Sequence, residues 1–154
     1  MNISNKKKHE LNISNKKAYF LYSIDFEVEC GLVLVGSEVK SIRAGNVTIT
    51  DSFIYIKDNE VWIKNLNVAR YKQSHPLDKF EENRDKKLLL NRKEIDKIGK
   101  MLLVKGTAAV ALSLYVSNNR IKVKIGVGTG KKSFDKKNTI KERDMDREMR
   151  RGLV

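Results

Sequence analysis

The chain has 154 residues, with 32 Lys and Arg against 19 Asp and Glu and a formal net charge of +13; this is the size of one domain carrying the charge of something that meets a polyanion. A sequence pI of about 9.8 makes nucleic acid the first candidate partner, an anionic membrane the second and a merely solvated surface the bland alternative. The apolar stretches are too short for a membrane span, no apolar run follows the charged N-terminus, and a single cysteine, Cys30, excludes an internal disulfide and a cysteine-cluster metal site. The expectation is a cytoplasmic protein with no membrane partner.

Residues 1–14 are polar and without period. They hold Asn-Ile-Ser-Asn-Lys-Lys at 2–7, and a second copy runs from 12 to 17. Two copies make no repeat array, so residues 1–14 read as a disordered N-terminal extension and residues 15–130 as the folded domain. Positions 19–35 read as strand: apolar and acidic residues alternate around Phe26-Glu27-Val28-Glu29-Cys30, then the run becomes wholly apolar. Ser37 is the predicted N-cap of a short helix over 37–43, ended by Gly45. Positions 53–56 and 61–63 flank the turn-forming pair Asp58-Asn59 and predict a hairpin.

Residues 67–87 contain the only proline, Pro76, and read as a long polar loop. Leu88-Leu89-Leu90 then leads to Asn91, an N-cap with Glu94 three positions on, which opens a helix to Lys100. Positions 108–116 and 120–127 alternate around Asn118-Asn119 as a second hairpin. Its later arm puts Lys122 and Lys124 on one face and Ile121, Val123 and Ile125 on the other. The sum is a mainly β chain with flanking helices, suggesting an OB-fold-like closed antiparallel β-barrel.

Past Gly130 the composition changes. From Asn138 onward the only large apolar residues are Ile140, Met145, Met149, Leu153 and Val154. Residues 131–154 therefore cannot repay their own ordering entropy, and they read as a basic C-terminal tail, disordered when free, that an external partner orders. Arg143, Arg147 and Arg151 recur at intervals of four, which on a helix is one side.

Catalysis finds no candidates. Gly126 and Gly130 are separated by three residues where a phosphate loop needs four, and Lys132 stands between Lys131 and Ser133. His9 and His75 have no ligand-spaced partner, and no nucleophile stands beside a base. The expectation is a non-enzymatic binding protein with no catalytic residue, cofactor or metal. What resembles a site is a set of cations that cannot be core: Lys16, Lys17, Lys40, Arg43, Lys122, Lys124, Lys131 and Lys132 flank strand ends or line one strand face.

Several short words stand in a fixed order: Asn15-Lys16-Lys17-Ala18, Glu29 and Gly31 after Phe26, Gly36-Ser37-Glu38-Val39-Lys40-Ser41-Ile42-Arg43, and Asp51-Ser52-Phe53. They continue with Leu88-Leu89-Leu90-Asn91-Arg92-Lys93-Glu94, Ala111-Leu112-Ser113-Leu114-Tyr115, Lys122-Val123-Lys124-Ile125-Gly126, Gly130-Lys131-Lys132 and Asp135-Lys136-Lys137. In this order they resemble the small protein B family, the SsrA-binding proteins that partner transfer-messenger RNA in bacterial ribosome rescue. The resemblance implies an OB-fold-like barrel that binds the tRNA-like domain of that RNA through Asn15, Lys16, Lys17, Glu29, Gly31, Lys40, Arg43, Leu90, Asn91 and Lys124. It implies a ribosome-binding tail, helical in the mRNA channel, that uses Gly130, Lys131, Lys132, Phe134, Asp135, Lys136, Lys137, Lys141, Arg143 and Arg147. The implied partners are transfer-messenger RNA and the ribosome, with the rRNA of its decoding centre and mRNA channel, and the chain is expected to act as a monomer. Departures from the family pattern are Thr107, where an aromatic is usual, Thr129, where a cation is usual, and Lys137, where an arginine is usual and a planar fork gives way to a point charge.

Overall fold

Three long strands of 11 residues each organise the molecule: β2 (Tyr22–Leu32), β8 (Thr107–Ser117) and β9 (Arg120–Gly130). They belong to a computed structural model that describes residues 11–70 and 83–132. In chain order the other elements are β1 (Asn12–Ser14), α1 (Lys16–Leu21), α2 (Gly36–Arg43), β3 (Val47–Thr48), β4 (Phe53–Lys57), β5 (Glu60–Lys64), β6 (Asn67–Val68), β7 (Lys86–Leu89) and α3 (Arg92–Leu102). Strands dominate and the helices are few, as the hydrophobic patterning predicts.

The hairpins follow from local chemistry. Asp58 and Asn59 join β4 to β5 with φ of 52° and 60°, and Asn118 and Asn119 join β8 to β9 with φ of 50° and 62°. Two consecutive left-handed residues match the twist of the flanking strands, and Asn and Asp tolerate that conformation better than other side chains. Along β2, Ile24, Phe26, Val28 and Cys30 turn inward while Asp25, Glu27 and Glu29 are exposed.

Every pairing among the described residues is antiparallel. β1 pairs with β8, β8 with β4, β4 with β5, β5 with β7, β7 with β2 and β2 with β9; β9 pairs in turn with β8. From β8 the pairings thus run through β4, β5, β7, β2 and β9 and return to β8, with β1 added at its side. β3 and β6 form a separate two-stranded ladder. Ile54, Ile63, Leu114, Val123 and Ile125 fill the interior, with Ile42 of α2 and Ile98 of α3 wholly buried against them.

Four sequence-based expectations are corrected. Residues 11–14 are not part of an extension: Asn12, Ile13 and Ser14 pair with Tyr115, Leu114 and Ser113, while Leu11 and Ile13 pack on the core. Three residues are too few for alternation to reveal a strand. Tyr19, Phe20 and Leu21 are helical rather than extended. Their aromatic strand preference is overridden by the Asn15 cap, whose Oδ1 accepts from the Ala18 N–H at 3.2 Å, and by burial of Ala18 beside Val110 and Leu112.

Helix α2 starts at Gly36, one residue before the predicted cap. Its first turn is satisfied from inside, because Glu38 Oε1 accepts from the Val35 N–H at 2.9 Å. Finally, the 67–87 stretch contributes β6 and β7. Lys86 made β7 look polar, yet Lys86 is fully buried: its Nζ donates to Leu66 O at 3.2 Å and Arg84 O at 2.8 Å and lies 3.6 Å from Glu38 Oε2. Arg84 Nη2 meets the other Glu38 oxygen at 2.6 Å. This buried cluster fastens α2 to β7, two walls of the site described next.

Candidate nucleic-acid interface

A cleft of about 360 Å³ opens where the end of β2, the end of β7, helix α2 and the β8–β9 turn converge. Its floor is apolar, from Leu34, Val39 and Leu89, and its rim carries Arg43, Arg120 and Lys122. Arg43 is the last residue of α2, and its Nη2 donates to the Asn119 carbonyl at 2.7 Å, so a fixed guanidinium faces the opening. Gly31 pairs with Leu89, and a Cβ at Gly31 would stand 3.3 Å from the Leu89 Cβ. Glycine therefore lets the exposed Leu89 lie flat on the strand.

Beside the cleft runs a polar strip on the outer face of β2, β9 and β8. Glu29 lies opposite Lys124, while Lys122 lies between Gly31 and Tyr115. Lys124 Nζ pairs with Glu27 at 3.1 Å, and that bond raises the lysine pKa. Tyr115 Oη donates to Glu29 Oε2. Asn91 caps α3 reciprocally with Glu94, at 2.9 and 3.1 Å. Burial pushes the Cys30 thiol up to about 12, and the carboxylates of Glu94 and Glu29 add to the effect. Cations, an apolar floor, a carboxylate and an amide can together hold phosphate, stack on or enclose a base, and read its polar edge.

The residues singled out from sequence do not form one patch. Tyr22 pairs with Gly130, and Gly31 pairs with Lys122; at about 3.3 Å per residue the nine steps between the two pairs span about 30 Å of β2. Glu29, Gly31, Arg43 and Asn91 gather at the cleft end, and Lys40 is exposed on α2. Lys16 and Lys17 belong to α1 at the opposite end, where the Lys131 N–H donates to the Leu21 carbonyl at 2.8 Å and Lys132 is exposed. Lys17 is paired with Asp51 at 3.0 Å.

Asn15 is no surface contact. It is 3 % exposed, and besides capping α1 its Nδ2 donates to Ala111 O at 2.9 Å and to Ile49 O and Thr50 O at 3.4 Å. Its side chain is spent on holding α1 to the sheet. Leu90 is half-buried against the core, whereas its neighbour Leu89 is 53 % exposed. Phe134, Asp135, Lys136, Lys137, Lys141, Arg143 and Arg147 lie outside the described residues.

Sequence reasoning missed Arg120 and Tyr115, and within the Leu88–Asn91 stretch, to which the resemblance gives a docking role, it did not single out Leu89. Strand parity would have found Leu89, since Leu88 faces inward and the next residue must face out. Arg120 follows a hairpin turn and Tyr115 alternates with the buried Leu114, so the same parity applies to both.

Comparison with known proteins agrees on one family. A family model described as SmpB protein matches residues 12–154. The SsrA-binding protein of Treponema denticola is 47% identical over 139 residues, 90% of this chain and 90% of that protein. The SsrA-binding protein of Oleidesulfovibrio alaskensis is 44% identical over 140 residues, 91% of this chain and 90% of that one. A solved chain from "tmRNA-SmpB: a journey to the center of the bacterial ribosome" superposes with a TM-score of 0.67 at 33% identity, covering 84% of this chain and 94% of that chain. With the family model spanning residues 12–154 and relatives aligned along nearly their full length, the chain belongs to the SmpB family.

Proposed function

We propose that this protein binds the tRNA-like domain of transfer-messenger RNA and delivers it to stalled ribosomes for trans-translation, with the tail beyond Lys132 probing the empty mRNA channel. The cleft carries the reading: three cations, Arg43, Arg120 and Lys122, ring an apolar floor at the end of the sheet that also bears Glu29 and Asn91. Family membership supports the partners, since relatives are SsrA-binding proteins and the superposing chain comes from a complex named for tmRNA and the ribosome. The ring of antiparallel pairings supports an OB-like closed barrel as the platform.

Work is divided between the two ends of β2. The cleft end takes the folded RNA, and the opposite end, with Lys16, Lys17, Gly130, Lys131 and Lys132, roots the tail on its ribosomal side. Protein function here is binding by a monomer in the cytoplasm, and no side chain performs chemistry.

Sequencing the RNA that co-purifies with the protein from its own cell tests the reading. One small structured RNA with a tRNA-like end is the expected result; a mixture of unrelated RNAs would instead identify a general single-strand-binding module. Truncation before Ile140 separates the two ends: affinity for the tRNA-like domain stays, while tagging of stalled chains is abolished. Equal loss of both would refute the division.

A further inference from the structure

We propose that Tyr115 is a positioning residue: its hydroxyl holds the Glu29 carboxylate as an acceptor aimed at the exocyclic amine of an RNA base, which makes Glu29 a specificity-determining contact. The inference rests on the RNA-binding reading of the cleft end and deepens it.

A carboxylate on an RNA-facing surface needs a reason, because phosphates repel it. Glu29 is exposed, and on the outer face of β9 it is flanked by Lys122 and Lys124. Left to itself, a flexible glutamate in that position collapses onto one of the two ammonium groups, cancelling both charges and hiding its oxygens. The structure has a different arrangement. Lys124 is engaged by Glu27 at 3.1 Å, and Tyr115 reaches from β8 across β9 to donate to Glu29 Oε2.

A phenol suits this task. It donates one hydrogen bond and brings no charge, so the carboxylate keeps its negative charge and its second oxygen for a ligand. Burial, followed by the Glu29 hydrogen bond and charge, raises the Tyr115 pKa well above its ordinary 10.0, so the hydroxyl stays a donor at every working pH. The bases that present an exocyclic amine to such a carboxylate are guanine, through N2, cytosine, through N4, and adenine, through N6; uracil carries none and offers only its ring N3–H.

The test compares affinities for a tRNA-like-domain transcript of transfer-messenger RNA and for poly(U), using full-length protein with the single changes Tyr115→Phe and Glu29→Gln and the double change. Tyr115→Phe removes one surface oxygen and leaves the ring in place. It should weaken the transcript about tenfold, the scale of one hydrogen bond to a charged group, and leave poly(U) affinity unchanged. The double variant should bind the transcript no more weakly than Glu29→Gln alone, because both changes break one device. Equal losses on both RNAs, or losses that multiply in the double variant, would mean that Tyr115 only supports the fold and would overturn the proposal. Wild-type protein that fails to retain the transcript would instead overturn the RNA-partner reading, and this inference with it.

Discussion

The Arg43 guanidinium donates to the Asn119 carbonyl at 2.7 Å, joining the last residue of α2 to the β8–β9 turn across 76 positions of sequence. The bond leaves the cation's charge uncancelled while fixing its plane at the cleft rim. A lysine there would keep the charge and lose the fork. Arg43→Ala is expected to weaken binding of the tRNA-like domain about tenfold and to lower the salt slope of log K by about one unit, whereas Arg43→Lys should keep the slope and lose part of the affinity. Anisotropy titrations at several salt concentrations check both; an unchanged slope for Arg43→Ala would remove Arg43 from the phosphate contacts.

Leu88 and Leu89 should behave oppositely although they are adjacent. Leu88 is 2 % exposed and packs in the core, so Leu88→Ala should cost about 2–5 kcal/mol in denaturant unfolding. Leu89 is 53 % exposed on the cleft floor. Leu89→Ala should leave the unfolding midpoint nearly in place and reduce RNA affinity. If instead Leu89→Ala destabilises the protein as much as Leu88→Ala does, the leucine is core and the cleft floor has been misread.

What the sequence made legible, and what it hid, follows from the range of the interactions involved. Both hairpins could be read because Asp58-Asn59 and Asn118-Asn119 specify their turns within two residues. The α3 cap was equally local, closed between Asn91 and Glu94. β1 was invisible because its only reason to be extended is a partner, Ser113 to Tyr115, about a hundred residues away. β7 was hidden by Lys86, whose burial makes sense only once Glu38 and the Leu66 carbonyl arrive from elsewhere in the chain. The candidate site was legible as residue types but not as places: Lys16 and Lys17 were grouped with Arg43 although β2 separates them, and Asn15 could not be known to face inward.

Gly126 is a packing glycine. A Cβ there would stand 2.7 Å from Leu112 Cδ1 and 3.0 Å from Ile24 Cγ2, both in the cluster beneath α1. Gly126→Ala should therefore cost about 1–3 kcal/mol through overpacking, and pairing it with Leu112→Val, which withdraws the obstructing methyl, should recover part of the loss. Thermal unfolding of the two variants decides the matter, since a double variant weaker than the single would place the clash elsewhere.

The Glu38–Arg84–Lys86 cluster gives stability a defined acid limb. Burial would raise the Glu38 pKa, but hydrogen bonds from Arg84 and the Val35 N–H and the Lys86 charge outweigh it and hold the pKa below the ordinary 4.5. A carboxyl whose folded pKa is depressed contributes stability that is full above its unfolded value and is lost as pH falls through the folded one. Lys86 acts the other way: burial lowers its pKa from 10.5, so its charge costs stability at neutral pH, and that cost fades as pH rises towards 10.5. Glu38→Gln should destabilise the fold by about 3–5 kcal/mol at pH 7, because it leaves Lys86 buried without its counter-charge. Its stability should also vary less than wild type between pH 5 and the acid limit, by about the depressed-carboxyl contribution it no longer makes. A Glu38→Leu/Lys86→Met protein should be more stable than either single variant, since exchanging both charges for apolar volume removes the desolvation cost along with the attraction. Urea unfolding across pH measures all three, and an acid limb as steep in Glu38→Gln as in wild type would assign it to other carboxylates.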